Sequence, residues 1–281
     1  MVMIRPARAE DREAVERISA RIWEGNDYVP LFFAQWMKKK GFFVAAMNGK
    51  IVGWDRGSET SKGKWWLEGL RVDPKLQGKG IGLQLFRHMK DWVLSQRPVS
   101  LRLSTAEISG AAYHMNQRMG FQVYSQSWLF EGSTTLPRPG PEPVKPRVDE
   151  ALDFLRRSEE MKASRGLLAH TWRFREADRT YLAELVRKGC AHAVRRGSRL
   201  EGLLIAQPHG YHPADLDITF LGGTRRAQAV LTAFVSRLAA ERGTRRLSGM
   251  AASDEMAEAL RRLDMKLQKY IGRVSVFEYP I

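Results

Sequence analysis

The run Gln77-Gly78-Lys79-Gly80-Ile81-Gly82-Leu83 is where residue type and spacing speak most directly of chemistry. Glycine puts no side chain between a backbone N–H and a guest, and the first N–H groups of a helix have no intrahelical acceptor. With about half a positive charge from the helix dipole, such a turn is an anion site, and a diphosphate is its natural guest. Two commoner phosphate loops are excluded. The dinucleotide fingerprint G-x-G-x-x-G needs a third glycine where Leu83 stands, and the Gly-Lys-Ser/Thr ending of the P-loop is missing.

The elements that must hold this turn can be read on either side of it. Trp65–Val72 is rich in apolar and β-branched residues and stops at Pro74, as a strand does. Leu83–Met89 opens an amphipathic helix that runs from Gly80 to about Gln96. Strand alternation sets Trp66, Glu68 and Leu70 on one face. A carboxylate beside an indole in a half-closed cleft has its pKa raised, which suits Glu68 as a general base. The alternative is a solvated Glu68 paired with Arg71 or Arg102. Upstream, Met3–Ala7 reads as a strand, Glu10–Trp23 as a helix and Pro30 as the start of a second helix. Phe42–Ala46 and Ile51–Trp54 flank Asn48-Gly49, a hairpin signal. Downstream come a strand (Val99–Leu103), a helix (Ser109–Met119) and a closing strand (Phe121–Phe130).

Gln-x-x-Gly-x-Gly after Leu-x-Val-x-Pro, from about Trp65 to Met89, resembles the acyl-CoA pyrophosphate loop of the GNAT acyltransferase superfamily. The element order β-α-α-β-β-β-α-β-α-β is the one expected of that fold. The resemblance implies an α+β (mixed α/β) class: a mixed, mostly antiparallel sheet flanked by helices. It implies acetyl-CoA as co-substrate, with the pantetheine arm along the backbone of Leu70, Arg71 and Val72. The N–H groups from Gly78 through Lys79, Gly80, Ile81 and Gly82 to Leu83 would face the pyrophosphate, with Gln77 and Lys79 flanking it. The Leu70 N–H would bind the oxyanion, at a bulge that family members carry. The family's second signature places Asn at a helix start and Tyr four residues before Gly-Phe; here Ser109 and Asn116 occupy those places. Asn116 is a poor proton donor, and Tyr113 lies three residues earlier, so the general acid stays open. Packing is the simpler role for Tyr113.

Ile22-Trp23-Glu24-Gly25-Asn26-Asp27-Tyr28-Val29-Pro30 also resembles a segment of the histidine N-acetyltransferase-like group, as does Glu68-Gly69-Leu70-Arg71-Val72. The resemblance implies a small, amino-acid-like amine acceptor. Asp27 would meet its ammonium, and Tyr28, Trp36 and Trp66 would wall the pocket. The alternative has Asp27 capping the next helix and the aromatics in the core.

The second half of the chain echoes the first. Helical spacing covers Thr180–Lys188, strands Cys190–Arg195 and Leu200–Ala206 flank a turn, and Asp215–Leu221 is a strand. A helix (Ala227–Arg242), a strand (Arg246–Ala251), a helix (Met256–Met265) and a last strand (Tyr270–Tyr279) follow. The stretch Leu221-Gly222-Gly223-Thr224-Arg225-Arg226 stands where the loop stood, without Gln-x-x-Gly-x-Gly. Three regions are expected: a catalytic domain over 1–132, a linker over 133–147 with five prolines, and a degenerate GNAT-like domain over 148–281.

The 281 residues carry a net charge of +15, divided almost equally between the two halves. Even spreading argues against a nucleic-acid track and suits attraction of a polyphosphate co-substrate. The single cysteine, Cys190, permits no internal disulfide, the N-terminus has no signal-peptide core, and no apolar run approaches the roughly 20 residues that span a bilayer. A cytoplasmic setting follows from these. His209-Gly210-Tyr211-His212 lacks a clear third ligand, so no metal site is expected. The reading is an acetyl-CoA-dependent N-acetyltransferase acting on a small-molecule amine. The alternatives are acetylation of a protein N-terminus or lysine, and a non-catalytic CoA-sensing or nucleic-acid-binding module; a homodimer is left open.

Overall fold

The structure, a computed structural model, describes residues 2–134 and 136–281. Over the first 133 residues the chain forms β1 (Val2–Pro6), α1 (Arg12–Ser19), α2 (Val29–Met37), β2 (Phe42–Met47), β3 (Lys50–Ser61), β4 (Lys64–Val72), α3 (Ile81–Ser95), β5 (Ser100–Ala106), α4 (Gly110–Arg118) and β6 (Gln122–Ser133). Then come α5 (Val148–Arg156), α6 (Glu159–Ala163), β7 (Leu167–His170), β8 (Arg173–Glu176), α7 (Arg179–Arg187), β9 (Ala191–Arg196), β10 (Arg199–Pro208), β11 (Leu216–Gly223), α8 (Arg225–Glu241), β12 (Arg246–Ala251), α9 (Asp254–Arg261), β13 (Lys266–Leu267) and β14 (Arg273–Tyr279). This is the mixed, mostly antiparallel sheet flanked by helices that the sequence implied.

Two compact units result: Met1–Ser104 with Ala111–Gln122 and Phe277–Ile281, and Thr105–Gly110 with Val123–Val276. In the first unit the strand order is β1-β2-β3-β4-β5, antiparallel except for the parallel pair β4–β5. Asn48 and Gly49 take positive φ (50° and 74°) and turn β2 into β3, as a primed hairpin turn requires. Alternation along the strands gives the sheet two apolar faces. Val44 and Trp54 meet Val15, Ile18, Val29, Phe33 and Trp36 of α1 and α2. Phe43, Leu67, Leu101 and Leu103 meet Phe86, Met89 and Val93 of α3. This second face also takes Phe277, fully buried, and Phe121, which stacks on Phe86 at 5.4 Å.

That grouping differs from the break at residue 132 read from the sequence. From Val123 onward β6 sorts with the second unit, where Trp128–Ser133 pair antiparallel with β12. The last residues of the chain sort with the first unit. Both segments are apolar and strand-forming, so local sequence does not say which sheet each joins; side-chain packing around Phe277 and Phe130 decides it.

The second unit has the order β6-β12-β11-β10-β9, with β11 and β12 parallel. Leu203, Ile205 and Phe220 face α5 and α7; Leu204, Ile218 and Leu247 face α8 and α9. The helices α5 and α6 and the hairpin β7–β8 lie in residues 148–176, for which the sequence offered no assignment. In the proline-rich stretch, Thr135 lies outside the described residues. Val144 exchanges two backbone hydrogen bonds with Ala193 (2.8 and 2.7 Å), and Arg237 donates to the carbonyl of Arg138 at 2.9 Å. The stretch therefore runs tied along the second unit instead of hanging free. Among the described residues no helix is long and apolar enough to cross a membrane.

Candidate active site

The strand β4 carries an irregularity at the point where chemistry was expected. Trp54 pairs with Arg71 and Arg56 with Glu68, so one β3 residue, Asp55, opposes two β4 residues, Gly69 and Leu70. This is a β-bulge, and Gly69 supplies its positive φ of 74°. A Cβ on Gly69 would come within 2.8 Å of the Trp36 ring, so glycine is required twice over. On the other side of β4, the parallel register with β5 covers only Lys64↔Ser100 to Leu67↔Leu103. The last residues of β4, from Glu68 to Val72, lie past it, which leaves a strand end for a guest to pair with.

Beyond Val72 the chain makes a short bend. Asp73 caps Pro74–Leu76 by accepting from the Lys75 N–H at 3.1 Å, and it holds Arg21 at 2.7 Å. Gly78 and Gly80 follow at φ of 77° and 76°, and a Cβ on either would meet nothing within 4 Å. The helix α3 then starts with Gly80 as N-cap and no side chain capping it. Its first closing bond is Gln84 N–H to Gly80 O at 3.1 Å, so the N–H groups of Ile81, Gly82 and Leu83 precede the ladder. Ile81 and Leu85, both buried, pin the helix against Ala45 and Val52. A rigid helix start with open donors and open space in front is what a diphosphate needs.

Residues 11–121 match the acetyltransferase (GNAT) family. Over 95 residues the chain is also 30% identical to the histidine N-acetyltransferases of Oreochromis niloticus and Scomber australasicus. That stretch is 33% of this chain and spans only 28% of the length of those relatives. Over 99% of its length the chain has the fold of a GCN5-related N-acetyltransferase from Sphaerobacter thermophilus (TM-score 0.66, 16% identity, 95% of that chain). It also has the fold of a glucosamine N-acetyltransferase region in a fungal multi-domain GH3 beta-N-acetylglucosaminidase (TM-score 0.65, 16% identity, 38% of that chain).

Within the GNAT domain the carboxylate of Glu68 is half-buried and accepts from Ser58 Oγ at 2.8 Å. Of the two arginines named beside it in the sequence, Arg71 pairs with Asp27 and Arg102 with Glu278. Asp27 is turned inward, its side chain fully covered. It takes two bonds from Arg71 (3.2 and 3.0 Å) and one from Ser19 Oγ (2.8 Å). Asp27 is thus the floor under Arg71 instead of an open ligand for an ammonium. The Arg71 guanidinium, which the sequence reading grouped with the co-substrate, sits 4.2 Å from the Trp23 ring centre and 5.4 Å from that of Tyr28, and donates to the Leu70 carbonyl at 3.0 Å. Tyr28 meets Phe32 and Trp36 edge-on, and Trp66 is buried beneath the strand. Trp23 and Glu24 hold positive φ (49° and 56°) ahead of Gly25, a strained turn at the mouth of this aromatic group.

On α4, Tyr113 packs edge-on against Phe277 at 4.8 Å, and Asn116 is buried. The residue that sequence reasoning missed is Asp55. It is 1% exposed; Oδ1 accepts from the Arg56 N–H at 2.8 Å, and Oδ2 is buried without a partner. Burial pushes its carboxyl well above the usual carboxylate range; the Arg56 N–H and Arg71 oppose the shift and Glu68 adds to it. The signal was present: a lone acidic residue in the apolar run Ile51-Val52-Gly53-Trp54. No cluster of three or more His, Cys, Asp and Glu side chains among the described residues is placed to hold a metal. His209 and His212 stack on each other at 5.5 Å.

Proposed function

We propose that the chain is an acetyl-CoA-dependent N-acetyltransferase whose acceptor is the primary amine of a small, amino-acid-like molecule. The observation that supports this most is the start of α3, which no side chain caps, beside the bulged end of β4, which runs past its parallel register with β5. The pyrophosphate would sit on the N–H groups from Gly78 to Leu83, flanked by Gln77 and Lys79. The pantetheine amides would pair with the β4 backbone around Leu70 and Val72. The thioester carbonyl then lies by the bulge, where the Leu70 N–H stabilises the oxyanion.

Glu68 takes the ammonium proton, directly or through one water, and the free amine attacks the thioester carbon. The tetrahedral intermediate collapses with loss of the CoA thiolate, and the second proton of the attacking nitrogen passes to that thiolate through water, leaving the amide and the free thiol. Asn116 is the amide available to hold that thiolate, and Tyr113 is largely spent in packing against Phe277. Tyr28 and Trp36 would wall the acceptor side with Trp66 below. Arg71, held by Asp27, offers a fixed cation for an acidic group on the acceptor. In this reading the second unit is a degenerate GNAT-like copy that supports the first without binding CoA. Its parallel pair β11–β12, its one-residue bulge on β11 and the whole-chain fold likeness support that view.

The test is release of free thiol from acetyl-CoA with a panel of amino acids and small amines. Product release with one of them and none with peptides carries the proposal. Transfer to peptide N-termini or lysines replaces the acceptor class. Binding of acetyl-CoA without thiol release from any amine replaces catalysis by sensing.

A further inference from the structure

Asp55 is a carboxyl group in surroundings unsuited to a carboxylate, and the reaction written above does not use it. It lies on β3 with one oxygen buried and unpartnered, directly across from the Gly69–Leu70 bulge. Across β2 its register partner is Phe43, and β2 brings no titratable group, its residues being Phe, Phe, Val, Ala, Ala and Met. The charged groups around it are Arg56 on its own strand and Glu68 and Arg71 on β4. From α3 comes His88, whose ring meets Phe43 edge-on at 4.8 Å and whose Nε2 is also buried without a partner. Burial holds the carboxyl of Asp55 in its protonated form far above the ordinary range, and burial likewise pushes the His88 imidazolium down, with Asp91 opposing. In both groups burial disfavours the charged form.

We propose that Asp55 is a positioning residue for acyl transfer: set behind the bulge with one oxygen buried and unpartnered, it serves as an uncharged acid that leaves Glu68 to carry the negative charge beside the thioester, and its ionisation turns the site off. The inference rests on the acetyl-transfer reading. Ionisation gives the Asp55 proton to solvent and breaks no other bond. The resulting charge lies against the bulge that must hold an oxyanion, and so raises the barrier to the tetrahedral intermediate.

The experiment combines two measurements on the full-length protein. The first is an infrared titration of ligand-free wild type and Asp55→Asn, following the carbonyl band of a protonated carboxylic acid. The second is the pH dependence of kcat/KM for wild type, Asp55→Asn and Asp55→Ala with one amine that is a substrate. The band is expected to persist at pH 7 in wild type, to be missing in Asp55→Asn, and to vanish at the same pH at which kcat/KM falls, by about tenfold per unit beyond it. Asp55→Asn, which imitates the neutral acid, should move that alkaline limb up by about one unit or more. It should also rescue most of the roughly tenfold loss of Asp55→Ala. An ionised Asp55 at pH 7, or an alkaline limb that Asp55→Asn leaves in place, overturns the proposal. If Asp55→Asn does not fold, the wild-type titration and rate profile decide by coinciding or not. Absence of thiol release with every amine defeats the enzymatic reading itself, whereas activity with an unmoved limb defeats only the role of Asp55.

Discussion

The start of α3 and the start of α8 are two answers to one structural question. Each helix follows a strand that pairs in parallel with its neighbour for a few residues and then runs on past it. Each strand carries one extra residue near that point, Gly69–Leu70 opposite Asp55 in β4 and Thr219 in β11. In the first unit eight residues separate strand and helix, Gly80 caps without a side chain, and the donors stay open. In the second unit one residue does the joining: Thr224 caps α8 by accepting the Ala227 N–H at 3.2 Å. The residue just past the parallel pairing is Glu68 in β4 but Thr219 in β11, and Thr219 is tied to Gln207 at 2.9 Å. The Leu221 N–H of β11 is taken by Met256 Sδ at 3.3 Å, and Met256 is 1% exposed. A helix end becomes an anion site when its donors are left unsatisfied, and it becomes plain structure when a hydroxyl and a thioether fill the same needs.

This contrast can be broken most sharply at Gly80. Gly80→Asp places a side chain at a φ of 76° and a negative charge where the pyrophosphate belongs. Acetyl-CoA affinity by calorimetry should fall by about a thousandfold or more, roughly 4 kcal/mol, and unchanged affinity would remove the loop from the reading. Next in size is Glu68→Gln, for which turnover should drop about a hundred- to a thousandfold with acetyl-CoA affinity nearly intact; equal turnover from acid to alkaline pH would exclude Glu68 as the base. Gly69→Ala drives a Cβ into Trp36 and strains the bulge, so kcat should fall by about a hundredfold while pyrophosphate binding is largely kept. A parallel loss of affinity would mean that the bulge serves the loop instead of the oxyanion.

In the second unit the effects are on stability alone. Met256→Ala empties part of a packed slot and strands the Leu221 N–H, for a loss of about 2 to 3 kcal/mol in denaturant unfolding. It should confer no second acetyl-CoA site, because α8 stays capped; a stoichiometry of two would refute the plug. Smallest is Thr224→Ala, which should cost about 1 kcal/mol and leave acetyl-CoA affinity unaltered. A change in that affinity would mean the two helix starts are not independent.

Much of the fold was legible because local rules sufficed. Pro30 opens α2, Asn48-Gly49 turns β2 into β3, and Gln77–Gly82 leads into the first residues of α3, each a short-range instruction. Residues 148–176 were silent: the two short helices and short hairpin there carry too few repeats for a period to register. The site was partly legible. The glycine loop and Glu68 stood out as a motif, whereas Asp27 read either as a partner for an ammonium or as a cap of the next helix, and it lies buried beneath Arg71. Asp55 was overlooked because its signal, a single acid at the end of an apolar run, does not tell a buried carboxyl from a surface one until its neighbours are known.

The sequence by itself determined the chemistry that backbone alone can do: three glycines, a proline-ended strand and a helix start make an anion-binding bend wherever they fold. Tertiary structure decided what each carboxyl group faces: Glu68 meets Ser58, Asp27 lies beneath Arg71, and Asp55 keeps one buried oxygen without a partner. It also decided which sheet receives each apolar strand at the end of a half, because pairing partners far apart in the chain compete on packing and not on local propensity.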